Sequence, residues 1–138
     1  MDEQGGPQPV IITIPAEARF IRLVRLATSG MASLAGFDVE LIDDLKIGVG
    51  EMCATLIELG SGGPIEVALH ANGDRAIRVV ARTAVVDGAS VDEPRFALSR
   101  QILQVISDEH SIELSGDEAK FELTMSAREH PVADDEDA

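Results

Sequence analysis

The sequence predicts a two-layer α/β sandwich, in which helices cover one face of a mixed, mainly antiparallel sheet. Apolar residues recur with helical or strand periodicity in the order β-α-α-β-β-α-β-β. Two pairs of these strands are separated only by short runs of turn-forming residues, so each pair is expected to be an antiparallel hairpin. Helices that gather on one side of such a sheet give two layers.

A strand and a long first helix are expected at the start of the domain. Residues 10–14 are rich in β-branched side chains, and Pro15 ends this run because proline cannot donate to a sheet ladder. The helix is predicted over about residues 16–35. Its apolar side is expected to consist of Phe20, Leu23, Ala27, Met31 and Leu34.

A second helix is expected between Asp38 and Gly60. Asp38 can cap its first turn, because a carboxylate accepts hydrogen bonds from the free backbone N–H groups there. Phe37 is expected to fold back on Ile42 as a hydrophobic staple. Gly60 ends the helix, and residues 61–64 form a loop.

Two strands joined by a tight turn follow. Apolar and polar residues alternate from Ile65 onward, and Asn72-Gly73 supplies the positive backbone angles that a hairpin turn requires. The returning strand is predicted over about residues 75–86. His70 lies on the polar side of its strand, and no other histidine or cysteine has metal-ligand spacing to it, so we interpret it as a surface histidine.

A third helix and a second hairpin complete the fold. The helix is predicted over about residues 94–108, and the hairpin strands over 110–114 and 119–125, around a Ser-Gly-Asp-Glu turn. The apolar face of the helix is expected to consist of Leu98, Ile102, Val105 and Ile106.

Length and composition indicate one intracellular domain. The chain has 138 residues, of which 45% are hydrophobic, enough to bury a core. We expect the domain over residues 9–128, with disordered flanks at 1–8 and in the acidic tail at 129–138. One cysteine, Cys53, fits a reducing cytoplasm, and no signal peptide or membrane-spanning apolar run is evident. The net charge of −14 argues against direct binding of nucleic acid, which needs a basic face.

A polar stripe on the second helix is the strongest functional signal. Residues three and four apart share a helix face, and apolar residues flank this one. Such a stripe is either the solvated edge of an amphipathic helix or the floor of a site, and the spacing leaves both open. The stripe consists of Asp44, Gly48, Glu51, Thr55 and Glu58.

Residues 44–58, DLKIGVGEMCATLIE, resemble the first motif of the histidine-kinase-like ATPase superfamily, most closely that of bacterial anti-sigma regulatory factors that are also serine kinases. The matching positions are Asp44, Lys46, Val49, Glu51 and Cys53. The resemblance extends over about residues 9–128 and implies the same two-layer fold, with Glu51 as the base that activates an attacking hydroxyl or water. Thr55 stands where the family has the asparagine that holds magnesium on the nucleotide phosphates. A threonine hydroxyl is a weaker magnesium ligand than that amide.

The adenine motif of the family is altered in this chain. The family has an aspartate that binds the adenine amino group and a glycine two residues later. Matching residues 77–80 to the family's strand puts Arg82 at the aspartate and Ala84 at the glycine. A guanidinium cannot accept the adenine hydrogen bond. Asp87-Gly88 could be a shifted version of this motif, but we interpret it as an ordinary turn.

The glycine-rich phosphate turn is altered as well. Matching residues 102–109 to the family's last helix puts Ala97 and Ser99 at two of its glycines. A Cβ at each position crowds the approach of phosphate and disfavours left-handed backbone angles. Only residues 87–96 remain to form the family's nucleotide lid, so Glu51 is the one nucleotide feature that is clearly retained.

Three arginines repeat at a spacing of three on the first helix, at Arg19, Arg22 and Arg25. They either keep the helix soluble or form a docking face for an acidic protein partner, and the pattern alone favours neither. Residues 20–22 resemble a family motif whose arginine contacts protein partners. The resemblance therefore favours docking, with Arg22 as the main residue.

The resemblance implies one of two functions. The first is an anti-sigma factor that sequesters an alternative sigma factor as a homodimer and is released by an anti-anti-sigma partner, with nucleotide binding weakened or lost and no cofactor. The second is an active ATP-dependent kinase that phosphorylates the anti-anti-sigma partner, with Glu51 as base and magnesium bound through Thr55. The altered motifs favour the first. A stand-alone pseudo-ATPase module that acts on other signalling proteins is a third alternative.

Overall fold

The structure is a computed structural model that describes residues 8–72, 75–86, 88–90 and 94–127. Its elements follow the order β-α-α-β-β-α-β-β, which confirms the predicted succession. The helices are α1 (Ile21–Leu34), α2 (Val39–Leu59) and α3 (Ala97–Ile106). The strands are β1 (Val10–Ile14), β2 (Ile65–Asn72), β3 (Ala76–Ala84), β4 (Glu109–Ser115) and β5 (Glu118–Ser126).

Some expectations lie outside the described residues and stay predictions. They concern the chain flanks at 1–7 and 128–138, Gly73 of the first hairpin turn, Asp87 of the turn after β3, and the lid residues 91–93.

The five strands form one sheet in the order β1-β2-β3-β5-β4. Every neighbouring pair in this order is antiparallel, so the expected antiparallel pairing is confirmed, whereas a mixed sheet is not seen in the described strands. The two predicted hairpins are the pairs β2–β3 and β4–β5. The strands of each hairpin are separated by too few residues for the crossover that a parallel pair needs.

The core lies between the helices and one face of the sheet. Along β3, Ile77, Val79 and Ala81 belong to the buried cluster that the helices cover. Arg78 and Arg82 alternate with them and therefore lie on the opposite face. The two-layer arrangement with helices on one face is thus confirmed.

α2 begins and ends where the sequence predicts. Asp38 Oδ1 accepts a hydrogen bond from the backbone N–H of Leu41 at 2.9 Å, which confirms the cap. At the other end, the N–H of Gly60 donates to the carbonyl of Leu56 at 2.8 Å. Within the described part of the chain, no helix combines the length and apolar character needed to cross a membrane.

The buried face of α1 differs from the predicted one. A short 3-10 turn at Ala18–Phe20 precedes the helix. The buried residues of α1 are Ile21, Val24, Thr28 and Ala32. Leu23 and Leu34 of the predicted face are instead 51% and 87% exposed. The prediction is wrong at these positions because α1 carries apolar residues on more than one side, and packing selects only one of them.

The buried face of α3 also differs from the predicted one. Leu103 is its fully buried residue, whereas Leu98 and Val105 of the predicted face are exposed. Gly48 of α2 lies where α3 and β5 approach that helix: a Cβ on Gly48 would lie 3.1 Å from Leu123 Cδ2, 3.4 Å from Ile106 Cδ1 and 3.6 Å from Leu103 Cδ2. The tight approach is that of Leu123 of β5, so the glycine admits close packing of α2 on the sheet.

His70 lies on the sheet face opposite the helices and is partly exposed, as expected for a surface histidine. Its strand partner across the β2–β3 pair is Arg78. Burial and, to a smaller extent, the charge of Arg78 lower the pKa of His70, while Glu122 opposes the shift.

Candidate functional site between helices α2 and α3

α2 carries Glu51 and Thr55 one helical turn apart on the same side of the helix. Thr55 is buried, with 6% of its surface exposed, and Glu51 is partly buried. Gly48 is buried as well, whereas Glu58 at the end of the stripe is exposed. A solvated helix edge would be exposed along its whole length. The buried middle of the stripe therefore favours the floor of a site.

Ser99 of α3 donates a hydrogen bond from its hydroxyl to Glu51 Oε1. This contact brings together the expected base and one of the two positions matched to the phosphate turn, although they are 48 residues apart in the chain. Ala97, the other matched position, is exposed at the start of α3. One carboxylate oxygen of Glu51 is therefore already engaged within the chain.

Two cavities lie beside the contact between Ser99 and Glu51. The first, of about 300 Å³, lies between α2, α3 and the β4–β5 hairpin. Its walls include Leu103 of α3 and Phe121 of β5. The second, of about 340 Å³, is bounded by α2 and the start of α3. Three residues line both cavities: Thr55, Phe96 and Ser99.

Phe96 is the residue of this site that the sequence reasoning missed. It directly precedes α3 and is 3% exposed. It lines both cavities together with Thr55 and Ser99, so its ring occupies part of the space between α2 and α3. The chain contains only four phenylalanines and no other aromatic residue, so an aromatic residue beside the matched phosphate turn was an available signal.

Arg82 and Ala84 do not join this site. Both alternate with the core residues of β3 and therefore lie on the face away from the helices. Arg82 is exposed there, and its register partner on β2 is Glu66. The residue between them, Thr83, is buried and donates a hydrogen bond to the carbonyl of Pro64 at 3.0 Å. Thr83, and not Arg82, is therefore the residue of this stretch that lies on the buried side of β3.

The donor set beside Glu51 fits magnesium poorly. Magnesium prefers a near-octahedral set of oxygen ligands, of which the protein commonly supplies one or two carboxylates. Here one oxygen of Glu51 is engaged by Ser99, and Thr55 offers a single neutral hydroxyl. Across the residues that the structure describes, no group of three or more His, Cys, Asp or Glu residues could hold a metal ion.

The three arginines of the first helical region have different surroundings. Arg19 Nε lies 3.0 Å from Glu17 Oε1 in an ion pair. The guanidinium of Arg25 lies against α2 at Gly50, where an added Cβ would come within 2.9 Å of its Nη2 atom. Arg22 is exposed and, among the described residues, makes no hydrogen bond or ion pair. It is therefore the arginine of the three that is most available to a partner.

Cys53 lies between Glu51 and Thr55 on α2 but faces the core. Burial raises the pKa of its thiol to about 12, with the charge of Arg25 opposing the shift. The thiol is therefore protonated at neutral pH and is a poor nucleophile. Cys53 contributes to packing and not to the chemistry of the site.

Comparison with known proteins identifies relatives of this chain. No family model matches it. A serine-protein kinase RsbW of Halalkalibacterium halodurans is 34% identical over 71 residues, which cover 50% of this chain and 44% of that protein. The RsbW of Listeria innocua is 36% identical over 70 residues, 48% of this chain and 45% of that protein. The chain thus spans less than half the length of the relatives it matches.

A solved structure supports the same relationship at the level of the fold. The crystal structure of the RsbU and RsbW domains of Rv1364c from Mycobacterium tuberculosis superposes with a TM-score of 0.66 and 19% identity. The superposition covers 87% of this chain and 32% of that chain. The resemblance predicted from the sequence is confirmed: about half of the chain is similar in sequence to proteins named serine-protein kinase RsbW, and the predicted histidine-kinase-like ATPase fold is the one it shares with the solved structure that contains an RsbW domain.

Proposed function

We propose that this chain is an anti-sigma-factor-like regulator whose nucleotide binding is weakened or lost. It captures an alternative sigma factor, and an anti-anti-sigma partner controls the capture. We also propose that the protein is cytoplasmic and that it forms a homodimer, as the family resemblance implies. The relationship to RsbW proteins supports the regulatory role, and the residues between α2 and α3 support the loss of nucleotide binding.

The hydrogen bond from Ser99 to Glu51 is the observation that carries this proposal. A general base must come within hydrogen-bond reach of the proton it removes, and here a hydroxyl of the chain itself occupies that position. Phe96 lies beside Thr55, where the resemblance would place the nucleotide phosphates. Its ring offers no hydrogen-bond donor or positive charge to a phosphate. The hydrogen bond from Ser99 to Glu51 and the position of Phe96 both favour weak nucleotide binding.

The surface of α1 supports the binding role. Next to Arg22, Leu23 and Leu26 are 51% and 62% exposed. Arginine is enriched at interface hot spots, and the two leucines beside it offer apolar area that a partner can bury. The chain as a whole carries a net charge of −14, so this arginine is a local exception. The surface fits a partner helix that combines acidic and apolar residues.

Magnesium-ATP should bind the purified protein with a dissociation constant weaker than about 100 µM, a binding free energy of less than roughly 5 to 6 kcal/mol. The physical reason is that Ser99 and Phe96 occupy the space beside Glu51 and Thr55, and that the phosphate turn carries side chains at its matched positions. Isothermal titration calorimetry with and without magnesium measures the affinity. Tight, magnesium-dependent binding would overturn the proposal.

Glu51→Gln should leave the affinity for a sigma factor unchanged, because the proposed docking residues lie on α1 and not between α2 and α3. Glutamine keeps the size of the side chain and can still accept the hydrogen bond from Ser99. Any residual phosphotransfer to an anti-anti-sigma partner should fall about 10² to 10⁴-fold, because glutamine cannot act as a base. Surface plasmon resonance and a radiolabel assay measure the two effects. A large loss of affinity would assign Glu51 to the interface or to the fold.

The alternative function is an active ATP-dependent serine kinase that phosphorylates the anti-anti-sigma partner. Two observations favour it: Glu51 is retained on α2, and the relatives are named serine-protein kinases. In that case the hydroxyl of Ser99 must leave Glu51 before a substrate serine can approach. The titration with magnesium-ATP separates this function from the proposed one.

A further inference from the structure

The hydroxyl of Thr55 differs from those of the other buried threonines. The buried polar residues of the described chain are Thr28, Thr55 and Thr83. Thr28 Oγ1 donates to the carbonyl of Val24 at 2.7 Å, and Thr83 Oγ1 donates to the carbonyl of Pro64 at 3.0 Å. No residue that the structure describes makes a hydrogen bond with the Thr55 hydroxyl. A buried hydroxyl without a partner is unfavourable, and such groups are rare in folded proteins.

Thr55 lines the cavity of about 300 Å³ between α2, α3 and the β4–β5 hairpin. Four apolar side chains line it, Phe96, Leu103, Ile112 and Phe121, together with the polar side chains of Thr55, Ser99, Arg100, His110 and Ser111. The volume lies at the small end of the range for ligand sites in proteins, about 300 to 1,000 Å³. Apolar and aromatic walls that carry a few polar groups are the usual form of a small-molecule site.

Arg100 is the one formally charged residue among the described residues that line the cavity. It already interacts with another residue, so its charge is engaged. A neutral ring would pack against the apolar walls without leaving a charge uncompensated.

We propose that this cavity binds a small, neutral aromatic compound that carries one hydrogen-bonding group, and that Thr55 pairs with that group. The rings of Phe96 and Phe121 supply aromatic surface for the ligand to pack against. The threonine hydroxyl can donate or accept, so it tolerates either kind of polar group on the ligand. This binding role is independent of sigma-factor capture by α1.

The proposal is tested with two probes of matched size, indole as a hydrogen-bond donor and isoquinoline as an acceptor. Each is titrated into the full chain while amide signals are followed by NMR. At least one probe should bind with a dissociation constant of about 0.1 to 1 mM and shift signals of Thr55, Ser99 and Leu103. Thr55→Val keeps the shape of the side chain and removes the hydroxyl, so it should weaken that binding about 2 to 12-fold.

A second measurement needs no ligand and uses matched controls. Thr28→Val and Thr83→Val each remove a hydroxyl that has a partner, so both should lower the urea midpoint of unfolding. Thr55→Val should leave the midpoint unchanged or raise it, because it removes an unpaired buried hydroxyl. The proposal is overturned if neither probe shifts these signals at millimolar concentration, if Thr55→Val binds both probes as well as the parent protein, or if it lowers the midpoint as the controls do.

Discussion

Arg22→Ala should weaken capture of a sigma factor or of an anti-anti-sigma partner about thirtyfold or more. Arg22 is exposed and, among the described residues, has no hydrogen bond or ion pair, so its guanidinium is available for a bidentate contact with a partner carboxylate. Truncating such an interface arginine commonly costs at least about 2 kcal/mol of binding free energy, which corresponds to a loss of affinity of about thirtyfold. Surface plasmon resonance with purified candidate sigma factors measures it.

The thermal stability of Arg22→Ala should stay close to that of the parent protein. The packed face of α1 on either side of it is formed by Ile21 and Val24, both of which are buried, and not by the half-exposed Leu23. A change in binding without a change in melting temperature therefore reports the interface and not the fold. Circular dichroism melting curves provide this control.

Two further variants sharpen the assignment to Arg22. Arg22→Lys should restore only part of the affinity, because an ammonium group cannot reproduce the planar fork of a guanidinium. Arg19→Ala should have a smaller effect, because Arg19 is already paired with Glu17. If Arg22→Ala binds every candidate partner as tightly as the parent protein does, the three arginines are not a docking face and serve only to keep the helix soluble.

The succession of elements could be predicted because its signals are local. Asp38 caps α2 through a contact with a residue three positions away, and each hairpin follows from a few turn residues. The faces of α1 and α3 could not be predicted in the same way. α1 has one helical series that includes Ile21 and Val24 and another that includes Leu23 and Leu26, and both satisfy the same periodicity. Packing against the sheet decides between them.

Glu51, Thr55 and Ser99 could be named as site positions from the sequence, but the contact that joins α2 to α3 could not. Glu51 and Thr55 share a helix face by spacing alone, whereas the contact of Ser99 with Glu51 depends on how α3 is placed against α2. The sequence also left open on which face of the sheet Arg82 lies, for a different reason. Val79, Val80 and Ala81 are three consecutive apolar residues, so the alternation that normally assigns strand faces is lost just before Arg82. Only the strand register resolves this ambiguity.

Leu103→Ala should lower the free energy of unfolding by about 2 to 5 kcal/mol. Leu103 is 0% exposed, and its side chain packs close to Gly48 of α2 and lines the cavity of about 300 Å³. The loss therefore combines the burial of the removed methyl groups with the cost of a cavity. Urea denaturation followed by circular dichroism measures the change.

Val105→Ala is the matched control for Leu103→Ala, because both residues lie on α3 and the apolar periodicity alone assigns Val105 to the core. Val105 is 83% exposed, so its truncation should change the free energy of unfolding by no more than about 0.5 kcal/mol. Alanine also has the higher helix propensity, which offsets part of any loss. A larger loss for Val105→Ala than for Leu103→Ala would mean that α3 packs through the face that the sequence predicts, and the contact between Ser99 and Glu51 would then have to be abandoned as well.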